Sequence, residues 1–231
     1  MQYLNFADRH QNDKIEETLI LIDESPTMDK TDYKPSRLDA GREASVKLIE
    51  TKAKKFPNDK IGVIAFNKSA HIRHLPIALG SGIKSLVNSF GKNISYDCGT
   101  DFTAALQAAQ AIFTNNAIKK TGTSGFLANF FLEPSESKIN RNDNVTRRII
   151  MLTDGMHNGR GNPLDAAQKL KNAGVIIDCI GIAGSRNEVD EDLLRHIASF
   201  DNNGVPRYCF IDDTINLITK FQSLSCHIKA V

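Results

Sequence analysis

Short apolar runs alternate along the chain with longer stretches in which apolar residues recur every three to four positions. The runs Thr18-Leu-Ile-Leu-Ile22, Ile61-Gly-Val-Ile-Ala-Phe66, Arg148-Ile-Ile-Met-Leu-Thr153, Val175 to Ile182 and Tyr208-Cys-Phe-Ile211 read as strands covered on both faces. His71 to Leu79 reads as one more strand. Helical spacing appears in Leu38, Gly41, Ser45, Leu48 and Ile49, and again in Phe102, Ala105, Leu106, Ala109, Ile112 and Phe113. A short helix is expected over Gly82–Phe90. Asn162-Pro163 opens another, with proline at the first helical position, and Gly174 closes it. Leu193, Leu194, Ile197 and Ala198 mark the next helix, and Leu217, Phe221 and Leu224 the last.

Strands that alternate with helices of this length predict an α/β fold. The expected architecture is a doubly wound, Rossmann-like, mostly parallel six-stranded sheet with helices on both faces. At 231 residues the chain reads as a single domain, 1–231, interrupted by an insertion at about 121–146. That stretch is too long for an ordinary helix-to-strand connection after a helix ending near Lys120. It carries the apolar segment Phe126-Leu-Ala-Asn-Phe-Phe-Leu132 and ends in polar residues from Ser135 to Asn144. The aromatics Phe126, Phe130 and Phe131 are expected either to cover the domain's own surface or to form a docking surface.

Charge and cysteine content narrow the function classes. The balance of 29 Lys+Arg against 27 Asp+Glu leaves no overall field that would steer nucleic acid or anionic lipid. The basic runs Lys52/Lys54/Lys55 and Arg147/Arg148 are expected on solvated faces. No window approaches the apolar length of a membrane span, and the N-terminus lacks a basic-then-apolar leader. Cys98, Cys179, Cys209 and Cys226 show no CxxC spacing, and Cys179 and Cys209 sit in apolar runs as small hydrophobes. His71 and His74 lie close together but lack partners at zinc spacing. These features predict a soluble, cytoplasmic protein with no nucleic-acid or membrane partner.

Candidate chemistry collects where strands end. Asp23-Glu-Ser25-Pro-Thr27-Met28 follows the first strand, Cys98-Gly99-Thr100-Asp101 precedes the clearest helix, and Thr153-Asp154-Gly155 closes the Arg148 strand. In sheets of this type, ligands bind beyond the carboxyl ends of the strands, where the connections reverse direction. Taken singly, each piece is an ordinary cap or turn: Asp, Ser and Thr after a strand cap helices, and Asp-Gly is a turn dipeptide. The three pieces together resemble the metal-ion-dependent adhesion site of the von Willebrand factor A domain family, written Asp-x-Ser-x-Ser, then Thr, then Asp-Gly. Asp23, Ser25 and Thr27 fall on the first piece, Thr100 on the second and Asp154 on the third. Met28 and Gly99 match the family's flanking Met and Gly, and the order of elements matches from about Glu17 to Leu224. One departure is Thr27, where the family usually has Ser; the hydroxyl is kept, and the added methyl stiffens the rotamer.

The resemblance implies an interaction module with a metal site formed by Asp23, Ser25, Thr27, Thr100 and Asp154. Three hydroxyl oxygens and two carboxylates suit a small hard cation, so magnesium is expected, with manganese as a substitute and calcium disfavoured. The hydroxyls ligate without neutralising the ion, which leaves it able to recruit a Glu or Asp carboxylate from a protein partner, as family members do. The resemblance also implies membership of a multiprotein assembly. Asp101 reads as a helix cap, Asn158 as an outer support, and Glu24 and Pro26 as occupants of variable positions.

Two other classes were weighed. A haloacid-dehalogenase-like phosphohydrolase would use Asp23 as nucleophile, with Thr153 and Asp212-Asp213 at later strand ends. It needs a carboxylic acid where Ser25 stands, because a serine hydroxyl cannot protonate a leaving group at neutral pH. No enzyme activity is therefore expected. A metal-independent scaffold domain is the remaining alternative, and it leaves the three-piece pattern unexplained.

Overall fold

The computed structural model describes residues 15–90, 98–114, 139 and 144–226. Its first half runs β1 (Ile15–Asp23), α1 (Arg37–Lys55), β2 (Lys60–Phe66), β3 (Ala70–Ala78), α2 (Leu79–Asn88) and α3 (Phe102–Phe113). The second half runs β4 (Val145–Thr153), α4 (Pro163–Asn172), β5 (Ile176–Ile182), α5 (Glu191–Ile197), β6 (Tyr208–Ile211) and α6 (Thr214–Ser223). The six strands form one sheet in the order β3-β2-β1-β4-β5-β6. All neighbours are parallel except β3, which runs antiparallel to β2. β3 lies at the sheet edge and contains Pro76, a residue that removes a ladder donor and is tolerated at an edge.

Period-two alternation builds two cores. Leu19, Leu21, Ile149 and Met151 point to the face covered by α3, α4 and α5. Ile20, Ile22, Ile150 and Leu152 point to the face covered by α1, α2 and α6. A sheet buried on both faces needs apolar residues at every central position, and this explains why β1 and β4 read as unbroken runs. α2 starts at Leu79, three residues before the expected Gly82, because Leu79 is itself buried. Gly82 lies inside the helix, where a Cβ would come within 2.6 Å of Ile77 Cγ2. α3 ends at Phe113 with Thr114 as its cap. Most of the 121–146 insertion, including Phe126, Phe130 and Phe131, lies outside the described residues. Ile139 is buried in the core on the α3–α5 face, and Val145 and Thr146 already belong to β4.

Neither basic run lies wholly on a solvated face. Lys54 and Lys55 are exposed, but Lys52 and Arg148 are buried. Lys52 continues the buried stripe of α1 four positions after Leu48, so its ammonium reaches the amino edge of the sheet. There Nζ lies 3.0 Å from Glu16 Oε1 and 2.8 Å from Asp59 Oδ2. Arg148 Nε donates to Asp178 Oδ2 at 2.7 Å and its Nη1 to the Leu224 carbonyl at 2.8 Å, while Arg207 Nε donates to Asp178 Oδ1 at 3.0 Å. These charges escape solvent because each meets an opposite charge that arrives from a distant part of the chain.

Removing one partner of such a network strands the others in a dry place. Lys52→Ala is expected to cost about 3–5 kcal/mol in urea unfolding, while Lys54→Ala stays within about 0.5 kcal/mol. Equal effects of the two substitutions would show that the network is solvated.

Candidate metal centre

β1 and β4 are neighbours whose connections leave in opposite directions, β1 through α1 to β2 and β4 through α4 to β5. α1 and α4 cover opposite faces, so the carboxyl ends of β1 and β4 flank the topological switch point, where doubly wound sheets form a crevice. Asp23 is the last residue of β1, and Asp154 follows the last residue of β4.

Asp23 is fully buried. Its Oδ1 accepts a hydrogen bond from the Ser25 amide at 2.8 Å, and its Oδ2 accepts one from Thr153 Oγ1 at 2.6 Å. Pro26 then opens a single 3-10 turn ending at Asp29, and Met28 anchors that turn in the α1-side core. The turn brings Ser25 Oγ within 3.1 Å of Thr27 Oγ1, and Thr27 Oγ1 donates to Asp154 Oδ1 at 2.8 Å. Thr153, Asp23, Ser25, Thr27 and Asp154 therefore form one continuous hydrogen-bonded chain across the two strand ends.

Thr100 joins from a third loop. It is buried beside Gly155, where an added Cβ would sit 3.1 Å from Thr100 Oγ1 and 3.7 Å from Asp23 Oδ2. Glycine after Asp154 thus lets the Thr100 hydroxyl approach the carboxylates. Asn158 clamps this loop, accepting from the Thr100 amide at 2.8 Å through Oδ1 and donating its own amide to the Thr100 carbonyl at 3.0 Å. Gly99 sits at φ +134°, a conformation that favours glycine, and so turns the chain into the clamp. Asp101 caps α3, accepting from the Ala104 amide at 3.0 Å, as its sequence position suggested.

All five expected residues are thus assembled at one place, but two neighbours were not foreseen. Arg37 is buried and donates from Nη1 to Asp154 Oδ2 at 2.8 Å. Glu24, read as a variable position, is buried and accepts from Arg73 at 2.6 Å. A signal for Arg37 was available: a cation at the first position of a helix opposes the helix dipole and needs nearby anions.

Burial drives the electrostatics. Desolvation, followed by repulsion from Asp154, pushes the Asp23 carboxyl up to about 7, against the pull of its bonds from Thr153 and Ser25. Burial also raises Asp154, while its bonds from Thr27 and Arg37 pull it down. Two desolvated carboxylates facing three hydroxyl oxygens fit a small divalent cation, whose charge would relieve both the desolvation and the repulsion. Among the described residues no cluster of three or more His, Cys, Asp or Glu forms a metal cage, so a cation here relies on the hydroxyls. His71 and His74 bond Ser69 and Ser85 instead. The dehalogenase-like set assembles only in part: Thr153 bonds Asp23, but Asp212-Asp213 follows β6, three strands from β1 and hence about 14 Å away. Asp213 caps α6, accepting from the Asn216 amide at 2.8 Å.

A family model described as the von Willebrand factor type A domain matches residues 18–157. No curated protein matches the chain in sequence. Among solved structures, the von Willebrand factor type A protein from Catenulispora acidiphila is 20% identical with a TM-score of 0.64, over 92% of this chain and 42% of that one. Proximal thread matrix protein 1 from the mussel byssus, in a structure with a zinc-occupied MIDAS motif, is 16% identical with a TM-score of 0.62, over 92% of this chain and 47% of that one. The SpRpn10 VWA domain is 18% identical with a TM-score of 0.59, over 90% of this chain and 93% of that one. The chain spans less than half the length of the first two, and all three likenesses are of fold.

Asp23 generates a pH dependence. Its folded value of about 7 stands above the ordinary 3.8, so in this window the folded protein binds more protons than the unfolded chain. Stability of the metal-free protein should therefore fall as pH rises from about 4 to about 7. Thermal melts in chelator across that range are expected to show this decline, and Asp23→Asn to flatten it and melt several degrees higher at pH 8. Parallel profiles for the two proteins would rule out a desolvated Asp23 charge.

Proposed function

The chain belongs to the von Willebrand factor type A domain family, and from that premise we propose that it grips a protein partner through one divalent cation held by Asp23, Ser25, Thr27, Thr100 and Asp154. Domains of this family are commonly protein-interaction modules rather than enzymes. The observation that carries the metal reading is the convergence of two buried carboxylates and three hydroxyls from loops 131 positions apart at their extremes (23 to 154) on one crevice.

In this reading each residue has a distinct task. Asp23 and Asp154 supply the negative charge. Ser25, Thr27 and Thr100 supply neutral oxygens, so the charge on the cation is only partly offset. Thr153 and Asn158 hold Asp23 and the Thr100 loop in place through their hydrogen bonds. The bound cation, magnesium in this proposal with manganese as a substitute, supplies an electrophilic position for a Glu or Asp carboxylate of the partner. We extend the proposal to a cytoplasmic multiprotein assembly. Cys179, Cys209 and Cys226 support this extension as free thiols.

Thermal unfolding tests the metal reading. Millimolar magnesium is expected to raise the melting temperature, because a ligand of the folded state adds RT ln(1 + [L]/Kd) to its stability. Chelator should reverse the rise and Asp23→Ala should abolish it. Identical melting of both proteins with and without magnesium would remove the metal from the proposal. On the magnesium-loaded protein, a glutamate-containing peptide is expected to bind more weakly after Thr100→Ala, a loss of about tenfold or more for a contact at an interface centre. Binding of that peptide unaffected by chelator would place its contact elsewhere.

A further inference from the structure

Arg37 stands at the first position of α1, buried among carboxylates. Its Nε donates to Asp32 Oδ1 at 2.8 Å and Oδ2 at 3.0 Å, and its Nη2 donates to Glu188 Oε2 at 3.0 Å and also to Asp32 Oδ2. Its Nη1 donates to Asp154 Oδ2 at 2.8 Å. Lys30 bonds Glu188 as well, so the outer end of this network is tied down at the surface. A planar guanidinium bridges three carboxylates through donors in fixed directions, whereas a lysine ammonium has three rotatable donors on a compact head.

The consequence falls on Asp154, whose two oxygens are divided. Oδ1 faces the hydroxyl cluster, where it accepts from Thr27 Oγ1 at 2.8 Å, and Oδ2 is held by Arg37. Calcium takes six to eight oxygens at longer distances and readily accepts both oxygens of one carboxylate, whereas magnesium demands a near-octahedral set of six. A guanidinium on Oδ2 takes one of that oxygen's acceptor directions and fixes the orientation of the carboxylate, which disfavours chelation by both oxygens.

We propose that Arg37 sets the ion preference of this centre: by holding Asp154 Oδ2 it restricts Asp154 to single-oxygen coordination, and so favours magnesium or manganese over calcium. Arg37 is a positioning residue, since it acts on the ion only through Asp154. The inference rests on the metal reading of the same site. A purely structural role, stapling the Asp32 loop and the Glu188 loop to α1, predicts a different result: stability would fall on substitution while the preference between ions stayed as it was.

Calorimetric titration with magnesium and with calcium separates these outcomes, using the wild type, Arg37→Met and Arg37→Lys, with circular dichroism to establish folding. Methionine fills similar space without any donor to Asp154, and lysine keeps the buried positive charge. The wild type is expected to bind magnesium more tightly than calcium. Arg37→Met should shift the ratio of the two dissociation constants toward calcium by about tenfold or more, and Arg37→Lys should shift it less in the same direction. If the methionine variant does not fold, the lysine variant decides. A ratio unchanged from wild type, or equal weakening of both ions, overturns the proposal while leaving the metal reading intact. A wild type that binds neither ion overturns the metal reading, and this inference with it.

Discussion

Two carboxylates, Asp23 and Asp154, are buried at the ends of neighbouring parallel strands, and the surrounding loops are organised by the need to keep them there. An ionised carboxylate removed from water is tolerated only when hydrogen bonds or opposite charge replace its hydration. Each acid meets that requirement differently. Asp23 is held by the Thr153 hydroxyl and the Ser25 amide, donors that carry no full charge, and its carboxyl is correspondingly pushed up to about 7. Asp154 is held by the Thr27 hydroxyl and by a guanidinium. The pair is asymmetric, with one acid left short of positive charge and the other partly supplied with it.

The two edges of the sheet make the same contrast on a larger scale. At the amino edge, Lys52 meets Glu16 and Asp59, and Arg148 and Arg207 meet Asp178. Charges there are matched within the protein, which suits a structural seam: buried ion pairs add little net stability but penalise misplacement. At the carboxyl edge, Arg37 is shared among Asp32, Asp154 and Glu188, and Asp23 adds a further acid. The shortfall of positive charge sits where the crossovers part, at the topological switch point. One fold thus carries a closed ionic seam at one end and an electrostatically incomplete crevice at the other, with apolar strands between them.

Small residues decide how closely the crevice closes. Gly155 allows the Thr100 loop to lie against Asp23, and the positive φ of Gly99 turns that loop so that Asn158 can bond both sides of Thr100. The Ser25, Thr27 and Thr100 hydroxyls are thereby held close to the two carboxylates.

The strands, the helices and their order were legible in the patterning, and the family resemblance singled out Asp23, Ser25, Thr27, Thr100 and Asp154 at strand ends. Periods of 2 and 3.6 record which faces are buried, and oxygen-bearing residues meet where the strands that carry them flank the switch point. Asp101 at the start of α3 was legible as a local helix cap, and Met28 through its match to the family pattern. Which charges meet depends on the folded chain. Lys52 and Arg148 look like solvated residues until Glu16, Asp59 and Asp178 arrive at the same sheet edge. Arg37 acquires its place only when Asp154, 117 positions away, is brought against it, and Glu24 gains its partner only when Arg73 reaches it from β3. Patterning reports burial one element at a time, whereas the pairing of buried charges depends on long-range contacts that leave no period in the chain.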